Sequence, residues 1–340
     1  MNIHALEAWY EKNHRKLSFR ESKDPYIIWI SEIMLQQTQV ETVLPFFERF
    51  TDKYPSVSKL AQANEEELQK DVEGLGYYRR FRNMHLAAKK IVSDYKGIFP
   101  DQYKDLISLP GIGKYTAGAI MSIAYDKPYS ALDGNVIRVL SRYLGIDLDM
   151  RLEKNRKKLD EINQSYIELA KPNIYTQAMM ELGALICSPK QPKCELCPLQ
   201  NHCDAYHNDR INQLPVLSKL KDKKLFLYIT LVLNTGDGYY LRKRDEELLK
   251  GMYEYPQYDA EDIQYVLTEL EAQGIIVELA DFTPTLYKHV FTHQIWMMQT
   301  YFARVLKGKK DDWIKIDRNA IKDIPMAIAH RKIKLYDKIK

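Results

Sequence analysis

Apolar residues recur at three- and four-residue spacing through most of the first 204 positions, the period of helices that bury one face. The pattern predicts helices over 26–44, 65–72, 79–95, 115–125, 135–144, 152–169 and 175–187, separated by Gly or Pro. From 205 to 224 the periodicity fades into a polar stretch rich in Lys, which predicts a linker. After Lys224 the pattern changes again. KLFLYITLVLNTGDGYYLRKR predicts strand, tight turn and strand, with Gly236-Asp237-Gly238 at the turn. A helix over 259–272 and strands over 275–279 and 295–306 complete an α+β domain spanning 225–340. No internal repeat or low-complexity tract is present.

Composition narrows the class. At 340 residues, 45% hydrophobic and 28% charged, the chain is an ordinary globular protein of two or three domains. No apolar run is long enough to span a bilayer. The first residues, MNIHALEAWYEKNHRK, lack the apolar core of a signal peptide, so the expected location is the cytoplasm. The net charge of +4 lies wholly before residue 225, too small an excess to establish nucleic-acid binding without knowing its placement.

The four cysteines change the picture more. Cys187, Cys194, Cys197 and Cys203 follow the spacing C-x6-C-x2-C-x5-C. A disulfide framework would spread them, and a reducing cytoplasm disfavours one. Clustered thiolates fit one tetrahedral zinc or one cubane iron–sulfur cluster. Zinc sites usually pair two C-x2-C knuckles, whereas this loop has one. The loop would also carry Lys190 and Lys193, which could face phosphates.

Leu109-Pro110-Gly111-Ile112-Gly113 lies between two predicted helices. Two glycines in a tight turn leave backbone N–H groups exposed beside the positive end of the next helix, a ready phosphate clamp. Downstream, Asp133 precedes a predicted helix. As an N-cap it would accept backbone N–H bonds and feel the helix dipole, both of which favour its ionised form. A plain structural cap is the simpler reading of Asp133 alone. Glu32 sits in YIIWISEIMLQQ, with Ile28, Trp29, Leu35 and Gln36 as helical neighbours. A carboxyl among apolar groups is desolvated, so its pKa rises and it can serve as a general acid near neutral pH. Two carboxyls split in this way suit cleavage of a glycosidic bond.

The motifs WISEIMLQQTQV, GLGYY, LPGIGKYTAGAI, LDGNVIRVL, QAMMELGALIC and the cysteine loop, in that order, resemble bacterial adenine DNA glycosylases of the MutY type. The likeness covers 1–204 well and the remainder more loosely. It implies a mainly α catalytic region, a helix-hairpin-helix glycosylase fold with a [4Fe–4S] loop at 187–203, a linker at 205–224, and a Nudix-like domain over 225–340. It also implies base excision repair by a monomer on double-stranded DNA, cytoplasmic and acting at the nucleoid, that removes adenine opposite 8-oxoguanine after base flipping. Glu32 matches the residue that protonates adenine at N7, Asp133 the one that stabilises the oxocarbenium ion, and Tyr115 one that assists beside the sugar. Arg15, Leu17, Phe19, Arg20 and Gln177 match the lining of the adenine pocket. Phe19 stands where the family often has Trp, and Ser18 where it often has Pro. Gln37 and Tyr77 match residues that push into the duplex, and Gly111 and Gly113 match the phosphate-binding hairpin. Phe291-Thr292-His293 resembles the Phe-Ser-His loop that senses 8-oxoguanine. Thr292 keeps a hydroxyl able to donate and accept.

Two alternatives follow from the same residues. Relatives that also cut the strand carry Lys where Tyr115 stands. Lys114 is adjacent but turned by about 100° on a helix, so a monofunctional enzyme is expected over a lyase. Ile137 stands where some relatives have a Lys that forms adducts, so covalent trapping should be weak. A damaged-DNA binder without chemistry would need neither Glu32 nor Asp133. The C-terminal domain lacks the Glu run with which Nudix hydrolases hold magnesium, which predicts no phosphohydrolase activity.

Overall fold

Helices fill the chain up to residue 207, as the spacing requires, and strands follow from Lys224. The structure is a computed structural model and describes residues 1–281 and 283–335. In chain order the helices are α1 (Ile3–Asn13), α2 (Pro25–Leu35), α3 (Val40–Lys53), α4 (Val57–Ala61), α5 (Glu65–Asp71), α6 (Arg79–Tyr95), α7 (Tyr103–Ile107), α8 (Lys114–Ile123), α9 (Gly134–Leu144), α10 (Glu153–Ile167), α11 (Pro172–Leu185) and α12 (Asp204–His207). The chain packs as two units. One comprises Met1–Gln62 and Asn83–Lys219, the other Ala63–Arg82 and the residues from Leu220 onward. No helix among the described residues is long and apolar enough to cross a membrane.

In the first unit α2 is buried along most of its length. Asp24 caps it by accepting from the Tyr26 backbone N–H at 2.9 Å, and Pro25 occupies its first position. Ile28, Trp29, Ile30, Ile33 and Met34 are all buried, in keeping with a stretch apolar all round. The expected helix over 26–44 is not continuous. It ends at Leu35, restarts at Val40, and turns at Gln37, whose φ is +57°. A polar QQTQ run between the apolar faces allows the break, since nothing there needs burying. The helix α1 was not expected from sequence, because its short apolar face carries only Leu6 and Tyr10 into the core.

The second unit is built on a mixed sheet among the described residues. Its strands are β1 (Lys224–Asn234), β2 (Gly238–Lys243), β3 (Tyr253–Glu254), β4 (Gln257–Tyr258), β5 (Ile276–Leu279), β6 (Thr285–Val290), β7 (Gln294–Lys307) and β8 (Trp313–Asp317), with helices α13 (Ile263–Ala272) and α14 (Ile328–Arg331). The order is β3-β2-β1-β7-β5. The strand β6 pairs with β7, β8 with β2 and β4 with β1. β1 runs parallel to β7 from Lys224 opposite Gln294 to Asn234 opposite Arg304. Period-two alternation sorts the faces. Val232, Tyr239 and Phe302 enter one core, while Leu231, Leu233 and Ala303 pack with Val266 and Leu270 of α13.

Residues 63–82 belong to this unit. Lys70 Nζ donates to the Lys322 carbonyl at 2.5 Å, and Arg331 Nε donates to Glu73 Oε1 at 2.5 Å.

One buried charge centre underlies the β6–β7 hairpin. Glu254 has no exposed side-chain surface. Arg242 Nε reaches its Oε1 at 3.0 Å, Arg244 donates to Oε2, and His330 Nε2 lies 3.4 Å from Oε2. Burial alone would raise this carboxyl, but His330, Arg244 and Arg242 hold it down to about 2. Arg244 also lies over the Trp296 ring, 5.1 Å from its centroid, and Phe291 packs on Trp296 at 4.7 Å.

Candidate active site

A cavity of about 650 Å³ opens in the first unit, in the range that accommodates a small ligand. Glu32 of α2 lines it, together with Tyr115 of α8, Asp133 before α9 and Gln177 of α11. Helix α2 buries Glu32 to 7% exposure. That burial pushes its carboxyl up to about 7, against a smaller opposing pull from the Tyr115 hydroxyl, which donates to Oε2. Burial also lifts the Tyr115 phenol well above its ordinary range, so it stays a donor.

Asp133 is the N-cap of α9. Its Oδ1 accepts from the Val136 N–H at 2.7 Å and its Oδ2 from Asn135 Nδ2 at 2.8 Å. The sequence implied that capping alone would govern this carboxyl. In the structure burial outweighs those donors and moves it above the usual range. Asn135 is held in turn by Arg138 Nη2 at 2.9 Å, and Arg138 Nε donates to the Cys187 carbonyl at 2.7 Å.

The loop that delivers Asp133 is clamped from two sides. Gly118 of α8 lies so close that a Cβ there would stand 1.9 Å from the Ser130 carbonyl oxygen. From the other side, Ser130 Oγ donates to Asp160 Oδ1 at 2.5 Å and accepts from Asn163 Nδ2 at 2.7 Å. Tyr175 OH donates to Asn163 Oδ1 at 2.8 Å, so α10 and α11 both brace the loop.

Arg15, Phe19, Arg20, Gln37 and Gln177 also line the cavity, whereas Leu17 is buried and does not. Phe19 packs edge-on against Phe47 with centroids 5.6 Å apart. Sequence reasoning passed over Glu181. It lies four residues after Gln177 on α11 and so shares its face, the signal that could have found it. Its side chain is wholly buried and meets both Arg15 and Arg20 at 2.6 Å.

The hairpin glycines differ from each other. Gly111 has φ +77°, a conformation that disfavours side chains, and a Cβ would stand 2.7 Å from the Asn83 side chain. Gly113 has an ordinary extended backbone and open space around it, and directly precedes α8. Lys114 is exposed and does not line the cavity.

Tyr77, like Gln37, has a positive φ, at +50°, and its side chain is 45% exposed. Non-glycine residues rarely adopt this backbone. In the second unit the Tyr77 hydroxyl meets Thr292 Oγ1. Thr292 and His293 are exposed at the tip of the β6–β7 hairpin. Phe291 holds that tip, its N–H donating to the Gln294 carbonyl at 2.8 Å, and Lys223 Nζ donates to the Phe291 carbonyl at 2.7 Å.

The four cysteines form no disulfide with one another and line one cavity of about 30 Å³ with Arg142. Arg142 Nη1 lies 3.5 Å from Cys187 Sγ and donates to the Ser188 carbonyl at 2.8 Å, while Nη2 and Nε donate to the carbonyls of Pro189 and Leu214 at 2.8 and 3.0 Å. Burial pushes Cys197 up to about 12 and raises Cys194 and Cys203. Among the described residues no three His, Cys, Asp or Glu side chains are drawn together as tightly as metal ligands.

The fold and its likeness to known proteins make this a base-excision DNA glycosylase, an enzyme that hydrolyses N-glycosyl bonds. The profile of HhH-GPD superfamily base excision DNA repair proteins matches residues 30–165, and that of the NUDIX domain matches 228–335. The adenine DNA glycosylase of Buchnera aphidicola subsp. Baizongia pistaciae is 33% identical over 353 residues, spanning 98% of this chain and 95% of its own. That of Buchnera aphidicola subsp. Acyrthosiphon pisum is 38% identical over 254 residues, 74% of this chain and 72% of its own. A thermostable thymine-DNA glycosylase of known structure superposes with a TM-score of 0.56 at 30% identity, covering 61% of this chain and 95% of that one. The chain belongs to the adenine DNA glycosylase family.

Proposed function

We propose that this protein excises adenine mispaired with 8-oxoguanine, and with guanine, from double-stranded DNA. The observation that carries the reading is the meeting of Glu32, Tyr115 and Asp133 in one cavity. The target adenosine flips out of the duplex into that cavity. Glu32, protonated near neutral pH, donates its proton to adenine N7. The bond between the sugar C1′ and adenine N9 then breaks, and its electron pair leaves with the base. Asp133, carrying negative charge and fixed by Val136 and Asn135, faces the positive charge that grows on the sugar. Water adds to the oxocarbenium ion and gives up its proton to the carboxylate pair, leaving an abasic site. Tyr115 offers no amine to the sugar and Lys114 points elsewhere, so strand cleavage is not part of the reaction.

The left-handed backbone at Gln37, in the cavity lining, and at Tyr77 supports a role as wedges in the base stack. The Gly111–Gly113 turn before α8 supports phosphate binding. The Thr292 hydroxyl, steadied by Phe291 and beside Tyr77, supports recognition of 8-oxoguanine by Phe291, Thr292 and His293. Cys187, Cys194, Cys197 and Cys203 would hold a [4Fe–4S] cluster. The cavity that all four share supports it. The cluster would brace the loop after α11, and Arg138 and Arg142 tie that loop to α9. The protein acts as a monomer in the cytoplasm.

The test is release of free adenine from an 8-oxoguanine:adenine duplex under single-turnover conditions. Wild-type protein should release it and Glu32→Gln should not. Full activity in that variant, or an adduct trapped by borohydride, would overturn the mechanism.

A further inference from the structure

Glu181 is a fully buried carboxylate with unusual company. Arg15 addresses it with its backbone N–H at 3.2 Å, with Nε at 3.1 Å and with Nη2 at 2.6 Å. Arg20 Nη1 stands 2.6 Å from the same Oε1. Burial would raise this carboxyl, but the two arginines hold it below its usual value, so it is ionised at neutral pH. Glu41 lies 3.9 Å from Arg15 Nη1 as a second partner, so the guanidinium of Arg20, in the wall of the cavity that holds Glu32, is the charge that depends on Glu181 for compensation.

That charge bears on Glu32. Tyr115 from α8 and Asp133 from the start of α9 face Glu32, and Arg20 acts on it from the short 3-10 turn Ser18–Arg20. Arg15, Glu41 and Arg138 are the other charged groups lining the cavity. Asp133 favours a protonated Glu32. Arg20 favours an ionised one, and an arginine in a buried site is strongly felt unless an anion compensates it. The anion is Glu181.

We propose that Glu181 is a positioning residue for this reaction, gathering Arg15 and Arg20 into the pocket wall and compensating Arg20 so that the acid Glu32 keeps its proton. The inference rests on the reading of Glu32 as the proton donor. A neutral side chain at 181 frees Arg20 from its partner, and the uncompensated guanidinium then stabilises the Glu32 carboxylate. The acid is lost at a lower pH.

The experiment compares wild type, Glu181→Gln, Glu181→Asp and the double variant Glu181→Gln/Arg20→Gln, all as full-length protein. Single-turnover adenine release from an 8-oxoguanine:adenine duplex is followed against pH. Each profile is read against its own acidic plateau. For Glu181→Gln the alkaline limb should move down by about one pH unit, an effect typical of one nearby charge. Glu181→Asp keeps the charge and should restore the limb. Removing Arg20 in the Glu181→Gln background should return it to or above the wild-type position. A limb that stays in place while the rate falls at every pH means Glu181 only supports the fold, and overturns the proposal. So does a limb that moves up. The carboxyl resonance of Glu32 in isotopically labelled protein without DNA, assigned with Glu32→Gln, reads the same displacement independently of turnover. A wild type that titrates as stated but releases no adenine sinks the functional reading and leaves the electrostatic role of Glu181 intact. A Glu32 resonance that does not move in Glu181→Gln sinks the role itself.

Discussion

Glu32 in the first unit and Glu254 in the second are both buried glutamates, and their surroundings drive them apart. Glu32 lies on a helix of apolar neighbours and receives one hydroxyl, so burial dominates and its carboxyl rises to about 7. Glu254 is buried more completely, yet two arginines and a histidine hold it down to about 2. Depth alone therefore decides nothing. The number of cations brought within reach decides whether a buried acid is a proton store or a structural anion.

Glu32→Gln should break the comparison most visibly. Adenine release should fall by roughly 10³-fold, the range of a lost general acid, while binding to an 8-oxoguanine:adenine duplex survives in a filter or anisotropy assay.

Glu254→Gln should leave chemistry possible but weaken the fold. It strands two guanidiniums beneath Trp296, and urea unfolding at pH 7 should show a loss of roughly 3 kcal/mol.

The pH dependence of stability sharpens the contrast because the signs are opposite. Glu254 has a depressed value in the fold, so its contribution is present above the unfolded value near 4.5 and is lost as pH falls toward about 2. Glu32 has a raised value, so its contribution is full below 4.5 and is lost as pH rises through about 7. Glu32→Gln should therefore be more stable than wild type above pH 7, by on the order of 3 kcal/mol at most, and no more stable at pH 4. Equal melting differences at both values would contradict the assignment.

Tyr115→Phe removes the hydroxyl that favours ionised Glu32, so the alkaline limb of base release should move up, opposite to Glu181→Gln. The smallest effect is expected at Thr292. Thr292→Ala loses one hydrogen bond, and preference for 8-oxoguanine over guanine opposite adenine should drop by about fivefold in paired-substrate kinetics.

Much of this was readable from residues alone. An apolar stretch such as YIIWISEIMLQQ reads as a core helix, which places Glu32 in a desolvated setting from sequence alone. Asp133 was readable as a cap for the same local reason. Its burial was not, because that depends on α8 and α10 closing over the 128–133 loop through Gly118, Asp160 and Asn163, contacts between residues far apart in sequence. The Glu181 cluster escaped for the same cause, since Arg15 lies 166 positions away. The break after Leu35 was hidden by continuous helix propensity across a polar run. Strand β6 was missed because Leu286 and Val290 are apolar yet exposed, which blurs the alternation a strand should show.

Asp133 holds two posts at once, since the side chain proposed to steady the sugar is also the peg that starts α9. Asn is an equally good peg. A single change to Asn keeps the acceptor for Val136 while giving up the one for Asn135, and should yield a protein that expresses, folds and binds DNA, yet is silent. Any screen that rewards solubility or heat resistance is blind to this position, and neutral drift can disarm the enzyme without leaving a trace in its fold. The same blindness makes Asp133→Asn a natural choice for holding the enzyme on an intact substrate.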